Sequence, residues 1–100
     1  MNISKFGPPE INGPNLDCDI YFTLNKPEVD GLSSPTTQAA ITAVLAPGAP
    51  PFGAIAAAII LSYIDTMKQK SGPNGVSVKC TVRQVGGVAP QMKEFIAEPL

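Results

Sequence analysis

Hydrophobic and polar residues alternate over two stretches of the chain, and the pattern between them is different. In residues 16–24, Leu16, Cys18, Ile20, Phe22 and Leu24 fall on one side of a period-two pattern, with Asp17, Asp19, Tyr21 and Thr23 on the other. That is the signature of a half-buried strand. Residues 76–82 repeat it, with Val76, Val78, Cys80 and Val82 set against Ser77, Lys79, Thr81 and Arg83. Lys26-Pro27 closes the first strand, and residues 28–31 read as a polar turn.

Between the strands the period becomes helical. Ser34 can cap a helix entry and Pro35 suits its first position, so a helix is expected from Pro35 to about Ala46. Its apolar residues Ala40, Ile41, Val44 and Leu45 share one face. Residues 47–51, Pro-Gly-Ala-Pro-Pro, must break it. A second helix is expected over residues 52–70, apolar all round in its first half and amphipathic in its second. Lys68 and Lys70 then sit where the helix dipole favours cations, and Gly72-Pro73 stops the helix. Residues 84–90 read as a linker. Residues 91–97 either make one or two helical turns or stay irregular. Gly7, Pro8, Pro9, Gly13 and Pro14 mark the first fifteen residues as an extended arm. Around Ile3 and Phe6 this arm could add a third strand, within the chain or onto a neighbour.

Two helices between two strands return the chain to where the first strand ended, so adjacent strands would be antiparallel. The expected class is α+β: a β-α-α-β core with a small antiparallel sheet packed on an apolar helical hairpin, an extended N-terminal arm (1–15) and a C-terminal tail (84–100) that could hold one short helix. Opposite charges agree with strand adjacency, Asp17 and Asp19 on one polar face, Lys79 and Arg83 on the other. A two-stranded sheet is marginal alone and cannot cover a helix that is apolar on every side. More strands, or another molecule, must do so.

Composition narrows the chemistry. One hundred residues suit one domain, 1–100. With 44% hydrophobic and 15% charged residues the chain should fold, since disordered chains are poor in apolar residues. The absence of histidine excludes histidine triads, histidine-ligated metals and histidine pH switches. A net charge of −1 argues against nucleic-acid binding by bulk charge. The first nine residues show no apolar signal core, which makes the cytoplasm the default compartment. Cys18 and Cys80 both lie on the apolar side of their strands. They read as buried small hydrophobes. If bonded, they would instead close a loop of about 62 residues, worth roughly 4 kcal/mol by chain entropy.

The acidic group Asp17, Asp19, Glu28 and Asp30 matches no calcium loop and reads as solvated, ion-paired surface. Ser33 and Ser34 have no histidine base, leaving only a Ser–Lys pairing with Lys68 or Lys70 to consider. No catalytic residue, cofactor, metal or small-molecule substrate is implied, and the chain reads as non-enzymatic.

The largest unexplained feature is residues 31–64, a run of 34 without one charge. Small residues recur four apart within it: Gly53 and Ala57, then Ala54, Ala58 and Ser62, with Ala39 and Ala43 on the first helix. Such stripes let helices approach closely. The first reading is a self-associating protein that buries the hairpin, about 35–70, against other copies or a partner. The alternative is a membrane-active protein, toxin- or bacteriocin-like, that inserts the uncharged 39–64 hairpin into a bilayer. The prolines split that run into pieces each too short to span one.

Overall fold

The elements run in the order β1 (Asn2–Phe6), β2 (Glu10–Asn12), β3 (Asn15–Leu24), α1 (Lys26–Asp30), α2 (Pro35–Leu45), α3 (Phe52–Leu61), α4 (Ile64–Lys70), β4 (Val76–Val85) and β5 (Gln91–Pro99). They are seen in a computed structural model that describes residues 1–48 and 52–100. The class is α+β, an antiparallel five-stranded sheet packed against helices. The two alternating segments are its centre. β3 and β4 pair along their whole lengths, from Asn15 opposite Val85 to Leu24 opposite Val76.

The extra cover comes from the ends of the chain. The arm does not merely lie extended. β1 pairs with residues 20–23 of β3 and β2 with residues 15–17, so both lie along one edge of β3. Gly7-Pro8-Pro9 interrupts that edge, with the Gly7 N–H still donating to the Asp19 carbonyl at 3.1 Å. On the far edge the tail is a strand, not a short helix: β5 pairs antiparallel with β4 from Val76–Pro99 to Arg83–Gln91. Its alternation is hidden by a bulge. The register shifts between Thr81 and Val82, opposite Glu94 and Met92, and leaves Lys93 outside the pairing. Phe95 is set opposite Cys80 and Ala97 opposite Val78 on the core side, while Glu94, Ile96 and Glu98 face outward opposite Thr81, Lys79 and Ser77.

Two helical expectations change. Residues 26–30 are a helical turn because Asn25 and Glu28 form a capping box. The Glu28 N–H donates to the Asn25 Oδ1 at 2.9 Å, and the Asn25 N–H to the Glu28 Oε1 at 2.9 Å. The single helix expected over 52–70 is broken at Ser62 and Tyr63. There the Ser62 and Tyr63 N–H groups donate to the carbonyls of Ile59 and Ile60, a tighter i→i−3 turn. The Ser62 hydroxyl also donates to the Ile59 carbonyl. Tyr63 stacks on Phe95 of β5 with ring centroids 4.4 Å apart, which ties the bend to the sheet edge. Pro47 and Gly48 close α2 in a short 3₁₀ turn. Ala49, Pro50 and Pro51, where the hairpin turn is expected, lie outside the described residues.

The core is one cluster between the sheet and the helices. Cys18, Ile20, Phe22, Leu24, Val76, Val78, Cys80 and Val82 of the sheet meet Leu32, Ile41, Leu45, Ala56, Ala57, Ile60 and Met67. Among the described residues no buried side-chain polar atom lacks a partner. The accessible surface is 5377 Å², against about 5,400 Å² expected for a folded monomer of this mass. The total exposed surface is therefore that of an ordinary folded chain of this size, while Val44 of α2 and Ile55 of α3 remain exposed.

Candidate interaction surface

A helix that is apolar all round gives no direction from sequence, so its neighbours decide which stripe turns inward. On α3, Phe52, Gly53, Ala56, Ala57 and Ile60 are buried, while Ala54, Ile55 and Ala58 are exposed, as is Ser62 just past its end. The two small-residue stripes therefore part company. Gly53 and Ala57 pack within the chain. A Cβ added at Gly53 would lie 2.5 Å from the Ala46 carbonyl oxygen and would also strike that of Leu45, so α2 and α3 approach there as only glycine allows. Ala54, Ala58 and Ser62 face away from the core. The apolar face expected for α2 is narrower than its four residues: Ile41 and Leu45 are buried, but Ala40 and Val44 are exposed. Thr36, Ala40 and Val44 form one wall of a groove opposite Met1, Asn25 and Pro27, and Ala39 and Ala43 are open to solvent. Ile55 and Val44 are the larger exposed aliphatics of this layer. Sequence spacing singled out the small residues and passed over Ile55.

The outer face of the sheet and the helices α1 and α4 carry the charge. Arg83 donates to Asp17 from Nε at 2.8 Å and from a terminal nitrogen at 3.0 Å, and Lys93 adds a contact at 3.5 Å. Asp19 accepts from the Thr81 hydroxyl at 2.7 Å and pairs with Lys5 at 3.3 Å. Lys79, opposite Tyr21 and not Asp19, sits with its ammonium 5.5 Å from the Tyr21 ring centroid. Asp30 pairs with Lys26 at 3.2 Å. Asp17, Asp19 and Asp30 are thus held by neighbouring cations, and Glu28 by the capping box and the N-terminal ammonium. Among the described residues, no group of three or more cysteine, aspartate or glutamate side chains is placed to hold a metal ion. Lys68 donates to the Ser33 hydroxyl at 2.6 Å, so a Ser–Lys pair exists, but both residues are exposed and water is free to solvate the ammonium.

These pairs predict an acid limb to the stability. Hydrogen bonds from Arg83 hold the Asp17 carboxyl well below the usual carboxylate range, outweighing its burial. A carboxyl depressed in the folded state stabilises fully above its unfolded pKa, and that stability is lost as pH falls through the folded value. Stability should therefore decline below about pH 4, and Asp17→Asn should flatten that limb. Parallel acid unfolding curves for variant and parent would contradict the assignment.

Cys18 and Cys80 are free, buried thiols on the core face. They are diagonal, not directly opposite, since Cys18 faces Val82 and Cys80 faces Ile20. Burial pushes the Cys80 thiol up to about 12, with the neighbouring Cys18 and Asp19 adding to the shift, and burial also raises Cys18. The sign is opposite to that of Asp17. Stability held below the unfolded thiol pKa should be lost as pH rises from about 9 towards about 12. Native protein should resist alkylation at neutral pH and take two labels once denatured; rapid native labelling would contradict the buried geometry.

Comparison with family models, with curated proteins and with solved structures returns no match to this chain. Among the described residues, no helix is long and apolar enough to cross a membrane.

Proposed function

We propose that this is a non-enzymatic interaction protein that associates with further copies of itself through the outer face of α2 and α3. The observation that supports this reading is that Ala39 and Ala43 of α2 and Ala54, Ile55 and Ala58 of α3 are exposed on two uncharged helices, in a molecule whose charges lie on the sheet, α1 and α4. Most soluble oligomers are symmetric, and a two-fold interface presents one patch to itself. Any charge on such a patch meets its own copy, whereas an uncharged patch does not. The small side chains add that a second helix can lie close against α3.

Light scattering coupled to size-exclusion chromatography tests this. The full chain should form an oligomer whose mass falls on dilution, and Ala58→Asp should shift it to monomer. An uncompensated charge buried in an interface costs roughly 3–5 kcal/mol, while an exposed site in the monomer tolerates it. An unchanged mass in Ala58→Asp would remove α3 from the interface.

Insertion of the 39–64 hairpin into a bilayer is less well supported. Phe52, Ala56, Ala57 and Ile60 belong to the core and would have to leave it. Liposome dye release with a denaturation-resistant control distinguishes the two readings.

A further inference from the structure

Two asparagines of the chain are followed by glycine, in Asn12-Gly13 and Asn74-Gly75. Asparagine before glycine is chemically labile, because no side chain shields the next backbone nitrogen from the asparagine Cγ. Both asparagines are exposed, so sequence and exposure rank them equally. The backbone around them does not.

Asn74-Gly75 is clamped. The Gly75 N–H, whose nitrogen would have to attack, donates to the Gly72 carbonyl at 3.3 Å. The Gly75 carbonyl accepts from the N–H groups of Gly72 at 2.8 Å and Leu100 at 3.0 Å, and the Asn74 N–H donates to the Leu100 carbonyl at 3.1 Å. Gly75 itself is buried. A Cβ there would strike the Leu24 carbonyl oxygen and lie 2.9 Å from the Asn25 backbone, so a neighbouring strand end closes over this peptide. Turning Asn74 onto the Gly75 nitrogen requires these contacts to open together.

Asn12-Gly13 is open. β2 is three residues long with every side chain exposed, and it pairs with β3 alone. Gly13 is exposed, with no atom within 4 Å of where a Cβ would stand. Among the described residues its N–H donates to no carbonyl. Freeing Asn12 breaks only the last pair of a ladder, Asn12 with Asn15, and fraying of a short edge strand supplies that opening at little cost.

We infer that Asn12 is a site of spontaneous succinimide formation and deamidation in the folded protein, and that the fold protects Asn74 from the same reaction. The Gly13 nitrogen, its proton taken by solvent base, bonds to the Asn12 Cγ. The bond from Cγ to the side-chain nitrogen breaks, and that nitrogen takes a proton from water and leaves as ammonia. Water then opens the five-membered ring at either carbonyl, giving aspartate or isoaspartate. The consequence is local. Position 12 gains a carboxylate on the face it shares with Glu10, and Glu10 already lies opposite Asp17. Like charges so placed weaken strand pairing. Isoaspartate also lengthens the backbone by one carbon, which a tight two-residue turn does not absorb. Conversion therefore releases β2 from β3, while the core, to which β2 contributes no buried residue, stays intact.

Peptide mapping by mass spectrometry tests this on the full chain aged in mildly alkaline buffer, beside a sample aged in the same buffer with urea. In the native chain Asn12 should convert roughly tenfold or more faster than Asn74, because the clamped site must first open. In urea both sites are free, and the ratio of their rates should fall towards one. Asn12→Gln should remove the acidic species that ion exchange resolves from the aged native protein. Hydrogen exchange of that species should show residues 10–12 deprotected at an unchanged thermal midpoint. No conversion at Asn12 in the native chain, or conversion at Asn74 as fast, would overturn the inference. A ratio that urea leaves unchanged would assign the preference to local sequence and would overturn the protective role of the fold. Unchanged exchange at residues 10–12 would overturn the release of β2.

Discussion

Phe22→Ala should lower stability by about 3–5 kcal/mol. Phe22 is 1% exposed on β3, opposite Val78 on one side and Ile3 on the other. It has strands on both edges and helices over its face, so little can collapse into the cavity it would leave. Against the usual 5–15 kcal/mol for a whole domain, this one substitution would leave a large unfolded fraction. Urea unfolding followed by circular dichroism measures it. A loss below about 1 kcal/mol would show that the β3 face is not packed under the helices as described.

Gly53→Ala should also destabilise, by about 1–3 kcal/mol or more, and here the sign is informative. In an isolated helix the change would be favourable by roughly 1 kcal/mol. In this fold the new methyl would meet backbone carbonyls of Leu45 and Ala46, and backbone at a helix end cannot move aside as a flexible side chain can. Ala54→Leu, one position along but facing solvent, should leave stability at low protein concentration within about 0.5 kcal/mol. A stabilised Gly53→Ala would mean that α2 and α3 do not approach as closely as their geometry shows.

What could be read from sequence, and what could not, follows from the signals each element carries. β3 and β4 announce themselves because one face is buried and the other wet, so every second residue reports the burial. α2 is marked by Ser34-Pro35 at its start and by the prolines after it. β5 is silent because the bulge at Lys93 breaks the alternation, leaving Lys93 and Glu94 as a polar pair that resembles a helix surface. α1 is short, and its Asn25–Glu28 box reads as easily as a turn. The break between α3 and α4 rests on Tyr63 stacking against Phe95, a contact across 32 positions that no local pattern encodes. For the candidate surface, spacing defines the stripes 53/57 and 54/58/62 but not their direction. α3 is apolar on every side, so its own sequence cannot say which stripe turns outward. The sheet and α2 say it.

The direction of those stripes leads to the most direct test of the self-association reading. Sedimentation equilibrium of the full chain, over a wide concentration range, gives its mass beside that of the double variant Ala54→Asp, Ala58→Asp. We expect a reversible oligomer for the parent chain and a folded monomer for the variant at every concentration. A parent chain that sediments as a monomer throughout, or a variant that assembles as the parent does, would contradict the proposal.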